Sequence, residues 1–589
     1  LTDFQNPQQE PGTERRLLLA FAITFLIIIA SQPLMKKYGP KPPEPVPVTQ
    51  QTTTPQAMAP QSTAALSATG NNAASSSGAS ASVPAVTKQA SAEAEVVFEN
   101  DLYKITFSNR GGLVKSWVLK KFDDDKGQPL ELVNASAAAK YGFPLSLFTY
   151  DGLLQQRLNQ ALYVTSNSGS LHAPADITFE FADQDLVVSK SFRFDNSYLV
   201  KVETSARYKG VDVQAYPAWP SSFGDGSGVA AYGAGQIEYQ NSDKIERLAP
   251  KKISGGNTVN GPFQWAGPTD RYFAAVFLPE DPGNAALVTI NNQIDIPKDA
   301  KRANSSETVK VNVLGAAVGD RRGPTVEQLY VGPKSLEVVE KIPVPTLQGA
   351  SPDLTGLVNF GFFGIIAKPL FLWLKWTFHH IISNWGWAIA LQTLIINLLL
   401  MPLRITQLKS ALKMQKIQPQ AKAIQTKYEK YSLRDPRKAE MNQEIAALYK
   451  REGVNPVAGC LPLIIQMPFL FAYYSMLGAV IDLRHAHWLW IKDLSSPDAL
   501  YLLPGAVFVS MFLVQRMTPQ GAMDPQQQKM MNIFMPVMLA YVSSNLAAGL
   551  CLYWSVGNLI SIVQQMVMNR TSLGQEMREL AEKRARKKK

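Results

Sequence analysis

The sequence predicts a multi-domain membrane protein. It joins an α-helical bundle of six transmembrane helices, five of them forming a core, to a large antiparallel β-sandwich outside the cytoplasm. Three observations predict this. Residues 385–568 hold five apolar runs, and a sixth lies near the start. Between 94 and 340, about 240 residues alternate apolar and polar side chains at period two, punctuated by turn residues. Bulk averages conceal this layout. A hydrophobic content of 46% and a mean hydropathy of −0.07 look soluble because apolar and polar stretches are segregated along the 589 residues.

Taken in order, the first element is the run Leu17–Met35, preceded by Arg15 and Arg16 and followed by Lys36 and Lys37. No A-x-A-like site and no cysteine directly follows it, so residues 1–38 read as an uncleaved signal anchor and not as a removed signal peptide. Residues 39–93, rich in Pro, Gln, Ser, Thr and Ala, cannot bury enough apolar surface to offset chain entropy. They are expected to form a disordered tether. The stretch 94–340 follows, with strands such as Leu102-Tyr-Lys-Ile-Thr-Phe and Ile177-Thr-Phe-Glu-Phe and turns such as Asn109-Arg-Gly-Gly and Asp281-Pro-Gly. Its one histidine, His172, sits among polar residues, so docking or spacing is expected before catalysis. Residues 353–384 mix aromatics with Lys368, Lys375, His379 and His380. That suits an interfacial amphipathic helix, with Pro369 breaking or starting it.

The core spans are expected at Trp385–Leu403, Val457–Ile481, Leu500–Gln515, Asn532–Ala547 and Gly549–Met568. The net charge of +11 falls unevenly around them: residues 404–454 carry twelve Lys/Arg against five Asp/Glu, and residues 570–589 carry eight against three. The positive-inside rule puts both of these blocks, and both termini, in the cytoplasm. Residues 404–454 read as a helical hairpin broken at Leu433-Arg-Asp-Pro, and 569–589 as a basic tail. The hairpin is either a solvated charged face or a contact surface for acidic partners; charge alone does not choose.

Several chemistries are disfavoured. The cysteines are Cys460 and Cys551, too few for a structural zinc site, and the five histidines lack ligand spacing. No GxxxxGK[ST] motif occurs, and no Asp or Glu lies in the five core spans, which argues against ATP-driven or ion-coupled transport. No cofactor, metal or nucleic-acid substrate is expected. Polar residues do occur in the spans. Thr393, Asn397 and Arg404 sit at i, i+4 and i+11; Trp554, Asn558, Ser561 and Gln565 sit at i, i+4, i+7 and i+11. Each set keeps to one helical face. Gln392, Gln466, Ser510 and Gln515 add polar positions on other spans. Such faces serve either interhelical hydrogen bonding or the lining of a hydrated cavity.

Gly453-Val-Asn-Pro-Val-Ala-Gly-Cys-Leu-Pro-Leu-Ile-Ile-Gln-Met-Pro closely resembles a signature of the YidC family of membrane protein insertases. So do Trp488-Leu-Trp-Ile-Lys-Asp-Leu, Asp524-Pro-Gln-Gln-Gln-Lys-Met-Met and Gly549-Leu-Cys-Leu-Tyr-Trp-Ser-Val-Gly-Asn-Leu. Trp265-Ala-Gly-Pro-Thr-Asp-Arg-Tyr-Phe and Tyr330-Val-Gly-Pro-Lys extend the likeness to the Gram-negative form with its periplasmic β-supersandwich. The resemblance implies an insertase of the bacterial inner membrane. Its hydrophilic groove opens to the cytoplasm, with substrate contacts at Thr393 and Trp554 and with Tyr553 beside the latter. It implies nascent membrane proteins and the lipid bilayer as partners, with the Sec translocon and the ribosome as further candidates. One position departs: where the bacterial family usually places a groove arginine, this chain has Asn397, and Arg404 is the nearest cation on that face. The opposing class is a transporter or channel with a periplasmic binding domain. A membrane-tethered carbohydrate enzyme is a third.

Overall fold

The computed structural model describes residues 87–226, 229–241, 244–297, 307–345, 353–431, 435–454, 461–517, 530–572, 574–576 and 579. The signal anchor, most of the tether, the loop 518–529 and the basic tail beyond 579 lie outside the described residues.

Residues 95–333 form three sheets of five, ten and five strands. Period-two patterning becomes alternate burial. Along Leu186–Phe194, residues 186, 188, 190, 192 and 194 point inward while Val187 is exposed. The longest hairpin pairs Ala285–Pro297 with Thr308–Asp320, antiparallel from Ala285↔Asp320 to Pro297↔Thr308. The sequence predicts an antiparallel sandwich, and the structure departs from it at one edge, where Glu95–Glu99 runs parallel to Gly169–His172. Trp117, Trp219 and Trp265 are fully buried, each contributing on the order of 2–3 kcal/mol through apolar burial. One inward position is a lysine. Lys190 Nζ donates to the carbonyls of Gly111, Gly112 and Leu145 at 2.9, 2.6 and 2.5 Å, and burial pushes its pKa down to about 7.

Four short helices accompany the sheets: α1 (Ala135–Tyr141), α2 (Gly152–Gln160), α3 (Val229–Ala234) and α4 (Leu336–Val339). Asn134 and Asp151 cap α1 and α2 by accepting first-turn amides.

The helical region begins with α5 (Gly364–His380), which runs unbroken through Pro369. This corrects the expectation of a break there. A single lost donor is tolerated because Ala367, Leu370, Phe371 and Leu374 still bury one face. Phe362, Ile365, Leu372 and Trp376 stay exposed on or just before the helix. Next comes α6 (Trp385–Leu399), capped by the Asn384 side chain accepting from Trp387 N. Within the expected span Trp385–Leu403 the helix bends near its end. Leu400 ends α6, and α7 (Met401–Lys427) departs at 49°, with Pro402 in its first turn, where the missing amide costs nothing. α7 and α8 (Arg437–Arg451) form a hairpin clasped by Lys427–Glu444 at 2.8 Å. α9 (Leu461–Ala479), α10 (Leu502–Met517), α11 (Met535–Ser543) and α12 (Ala548–Asn569) complete the bundle.

Among the described residues, α12 is the one helix long and apolar enough by itself to cross a membrane; the bent pair α6–α7 also passes if taken as one span. α10 and the stretch Asn532–Ser543 are apolar but shorter. The sandwich is seated on one end of this bundle. Arg271 Nε donates to the Gly478 carbonyl at 3.1 Å, satisfying the C-terminal end of α9. Arg484, just after α9, donates to the Asp225 carbonyl at 3.4 Å and lies over the Tyr272 and Phe273 rings. Lys375 on α5 pairs with Glu337 of α4 at 2.9 Å and with Asp482 at 3.6 Å.

Candidate substrate-contact site

The polar residues of α6, α7 and α12 meet along a seam. Thr393 is fully buried and donates to the Ile389 carbonyl at 2.7 Å; Asn397 donates to the Thr393 carbonyl at 2.8 Å. Both spend a donor on their own helix, a common way to satisfy polar groups in an apolar setting. Opposite them α12 presents Gly557, where an added Cβ would lie 3.8 Å from Thr393 and 3.9 Å from Asn397. The glycine lets α6 and α12 approach closely at the polar positions.

At one end of the seam sits Arg404. Its guanidinium donates to Ser561 Oγ and Gln564 Oε1 of α12, and Gln564 Nε2 donates to the Asn397 carbonyl at 3.2 Å. Arg404 lies in the first turn of α7, just beyond the 49° bend at Leu400. At the other end, Tyr473 of α9 donates to Gln392 Oε1 and comes within hydrogen-bond reach of Thr393. Gln392 in turn donates to the Leu370 carbonyl of α5 at 2.9 Å. The Tyr473 ring stacks on Tyr553 at 4.1 Å between centroids, and the Tyr553 hydroxyl reaches Gln466.

Thr393, Asn397, Arg404, Ser561, Tyr553 and Gln466 therefore share one connected region. Trp554 is half-buried beside Tyr553. The other expected positions diverge. Asn558 donates to Ser510 of α10 at 3.1 Å, and Gln565 donates to Asn569 on its own helix at 2.9 Å. Gln515 is half-buried on α10. The four α12 residues thus do not act as one face: Ser561 turns to α7, and Asn558 turns to α10. Sequence reasoning missed Gln564 and Tyr473. Gln564 was legible as the i+3 neighbour of Ser561, on the side of α12 that faces α6 and α7.

Among the described residues, the end of the bundle under the sandwich is tightly packed. The first amides of α12 lack helical partners. Ala548 N donates to the Ser496 carbonyl at 2.8 Å and Gly549 N to the Leu494 carbonyl at 2.9 Å. A Cβ on Gly549 would lie 3.0 Å from Leu477, and Leu477, Leu494 and Leu550 are buried around it. Trp488 packs onto Gly386 at the start of α6. Among the described residues, no group of three His, Cys, Asp or Glu side chains could hold a metal ion.

The profile described as 60Kd inner membrane protein matches residues 377–575, and that of the YidC periplasmic domain matches residues 95–373. A relative from Geobacter sulfurreducens, described as membrane protein insertase YidC, is 33% identical over 489 residues, covering 80% of this chain and 85% of its own length. The chain belongs to the YidC family. A second YidC relative, from Geotalea uraniireducens, is 32% identical over 83% of this chain and 89% of that one. A solved YidC insertase with its first transmembrane domain resolved aligns over 82% of this chain and 95% of that one, at 19% identity and a TM-score of 0.33. The two YidC profiles meet inside α5, so the helix carried over Pro369 is the joint between the family's two regions.

Proposed function

We propose that this chain is an inner-membrane insertase that inserts and helps fold integral membrane proteins. The observation that carries the reading is the polar seam. Ser561 and Gln564 hold Arg404, and the seam runs on through Asn397 to Thr393, in a bundle whose end under the sandwich is packed with apolar side chains. Six transmembrane helices, the anchor included, place both termini in the cytoplasm and the sandwich in the periplasm; the basic hairpin supports that orientation. A short polar substrate segment enters a groove along the seam from the cytoplasm. Its apolar neighbour slides along the exposed faces of the bundle. Polar lining lowers the cost of carrying polar chain toward the midplane, and burial of the substrate's own helix in lipid supplies the driving force.

Nascent membrane proteins and the bilayer are the partners, with the Sec translocon and the ribosome as further candidates. Arg404 partly substitutes for the groove arginine whose usual family position is occupied here by the neutral Asn397. It is held beside the seam by two α12 side chains while remaining only partly buried.

Site-specific photocrosslinking from Thr393 and Trp554 during translation tests the reading. Crosslinks to nascent membrane proteins support it; their absence, together with solute flux in liposomes, favours the transporter class. For the charge, Arg404→Ala is expected to slow insertion of an acidic-tailed substrate. Unchanged insertion in that variant, with loss in Asn397→Leu, would sink the role given to Arg404.

A further inference from the structure

Two turns in the segment 484–502, between α9 and α10, expose apolar side chains in a backbone conformation that disfavours them. In the first, Trp488 and Ile491 exchange both backbone hydrogen bonds, at 2.9 and 2.8 Å, leaving Leu489 and Trp490 at the tip. Leu489 has φ +49° and is 65% exposed. In the second, Tyr501 N donates to the Asp498 carbonyl at 3.1 Å; Tyr501 has φ +56° and is 63% exposed, with exposed Leu500 before it. A Cβ crowds the backbone in this left-handed region, and turns that face water place Gly or Asn there.

Both turns are pinned by hydrogen bonds. The buried Asp498 carboxylate accepts Leu500 N at 3.1 Å, Leu503 N at 2.8 Å and, more weakly, Trp490 Nε1 at 3.4 Å, so one side chain holds the pair. Asn384, the cap of α6, donates to the His487 carbonyl at 3.1 Å. The turns also stand at the heads of two outward apolar stripes. Trp387, Leu394 and Leu398 follow one another at i, i+7 and i+11 along α6, and Leu502, Val509 and Leu513 do the same along α10, all exposed. The Trp387 and Trp490 rings flank Trp488 at 5.5 and 5.7 Å.

We infer that these paired turns are a built lipid-contact surface that enters the periplasmic leaflet at headgroup depth. Resting on the orientation proposed above, the occupant is the bilayer itself, because the turns prolong the lipid-facing stripes of α6 and α10 past the helix ends. Aromatic and aliphatic side chains held at that depth set where the packed end of the bundle sits in the membrane.

The test places an environment-sensitive fluorescent amino acid, by stop-codon suppression, at Leu489, Leu500, Leu394 and Lys492 in the full chain. The chain is reconstituted in phosphatidylethanolamine–phosphatidylglycerol vesicles containing nitroxide lipids labelled at shallow or deep positions. Probes at 489 and 500 are expected to emit blue-shifted relative to 492 and to lose more intensity to the shallow nitroxide than to the deep one. The probe at 394 is expected to be quenched by the deep label. Emission at both 489 and 500 indistinguishable from 492, with 394 quenched, overturns the lipid contact while leaving the spanning reading intact. An unquenched probe at 394 overturns the spanning reading and this one with it.

Discussion

Gln564 accepts a hydrogen bond from the Arg404 guanidinium and donates one to the Asn397 backbone carbonyl. That carbonyl belongs to the last turn of α6, where helical N–H donors run out, so one amide on α12 braces the kink and orients the cation together. Gln564→Leu is expected to cost about 1–3 kcal/mol by stranding buried groups, lowering the thermal midpoint in detergent. Gln564→Glu is expected to keep Arg404 in place as an ion pair but to recover only part of the midpoint, because a carboxylate cannot donate to the Asn397 carbonyl. It should also slow insertion of acidic-tailed substrates in a protease-protection assay, because the charge is neutralised. Equal insertion by the Glu variant and the parent would count against the role of Arg404.

The Tyr473–Gln392 contact links α9 to α6, with Gln392 reaching on to α5. Tyr473→Phe leaves the Gln392 oxygen buried without its donor, at a cost of about 1–3 kcal/mol. A double-mutant cycle with Gln392→Leu is expected to give a coupling on the order of 1 kcal/mol, read from denaturant midpoints. Additive losses would mean that the two side chains act independently.

Gly386 lies so close to Trp488 that an added Cβ would fall 2.1 Å from the ring's Cδ1. Gly386→Ala raises helix propensity yet forces the indole aside, and roughly 1–3 kcal/mol of destabilisation is expected. Combining it with Trp488→Leu should recover part of the loss. Thermal unfolding of the single and double variants decides it.

Lys190 makes the sandwich sensitive to alkaline pH. Burial pushes its pKa down to about 7, against about 10.4 in an unfolded chain. Between those values the unfolded chain holds a proton that the folded one lacks. Stability therefore rises with pH across the window, by up to about 1.4 kcal/mol per unit, and falls as pH drops back through it. Urea midpoints from about pH 7 to 10 should show this slope, and Lys190→Met should abolish it. The same variant strands carbonyls that the amine serves, three when protonated and two when neutral, and should be less stable throughout.

How much of this was legible in the sequence depends on which force decides each element. Strands of the sandwich follow from alternation because burial of one face selects their register, as along Leu186–Phe194. The same rule misleads at Lys190, where three nearby carbonyls, set by distant turns, admit a charged residue inward. Pro369 reads as a breaker because propensity is local, whereas packing of Leu370, Phe371 and Leu374 holds α5 together across it. The polar positions of α6 and α12 were legible as positions. Their partners were not, since a helical period says which residues share a face and not which neighbour that face meets. The kink at Leu400 lay hidden for the same reason, and with it the turn that brings Arg404 to Gln564.

The first amides of α12 are spent on the carbonyls of Ser496 and Leu494, within a loop itself pinned by Asp493 and Asp498. A helix started this way cannot slide or unscrew without breaking the seal above it. Among the described residues, the polar seam below is thus capped at that end by packed apolar side chains. On the proposed reading, chain that enters the seam leaves sideways or by the same mouth, and the packed end would hold the membrane's ion barrier while the seam is in use.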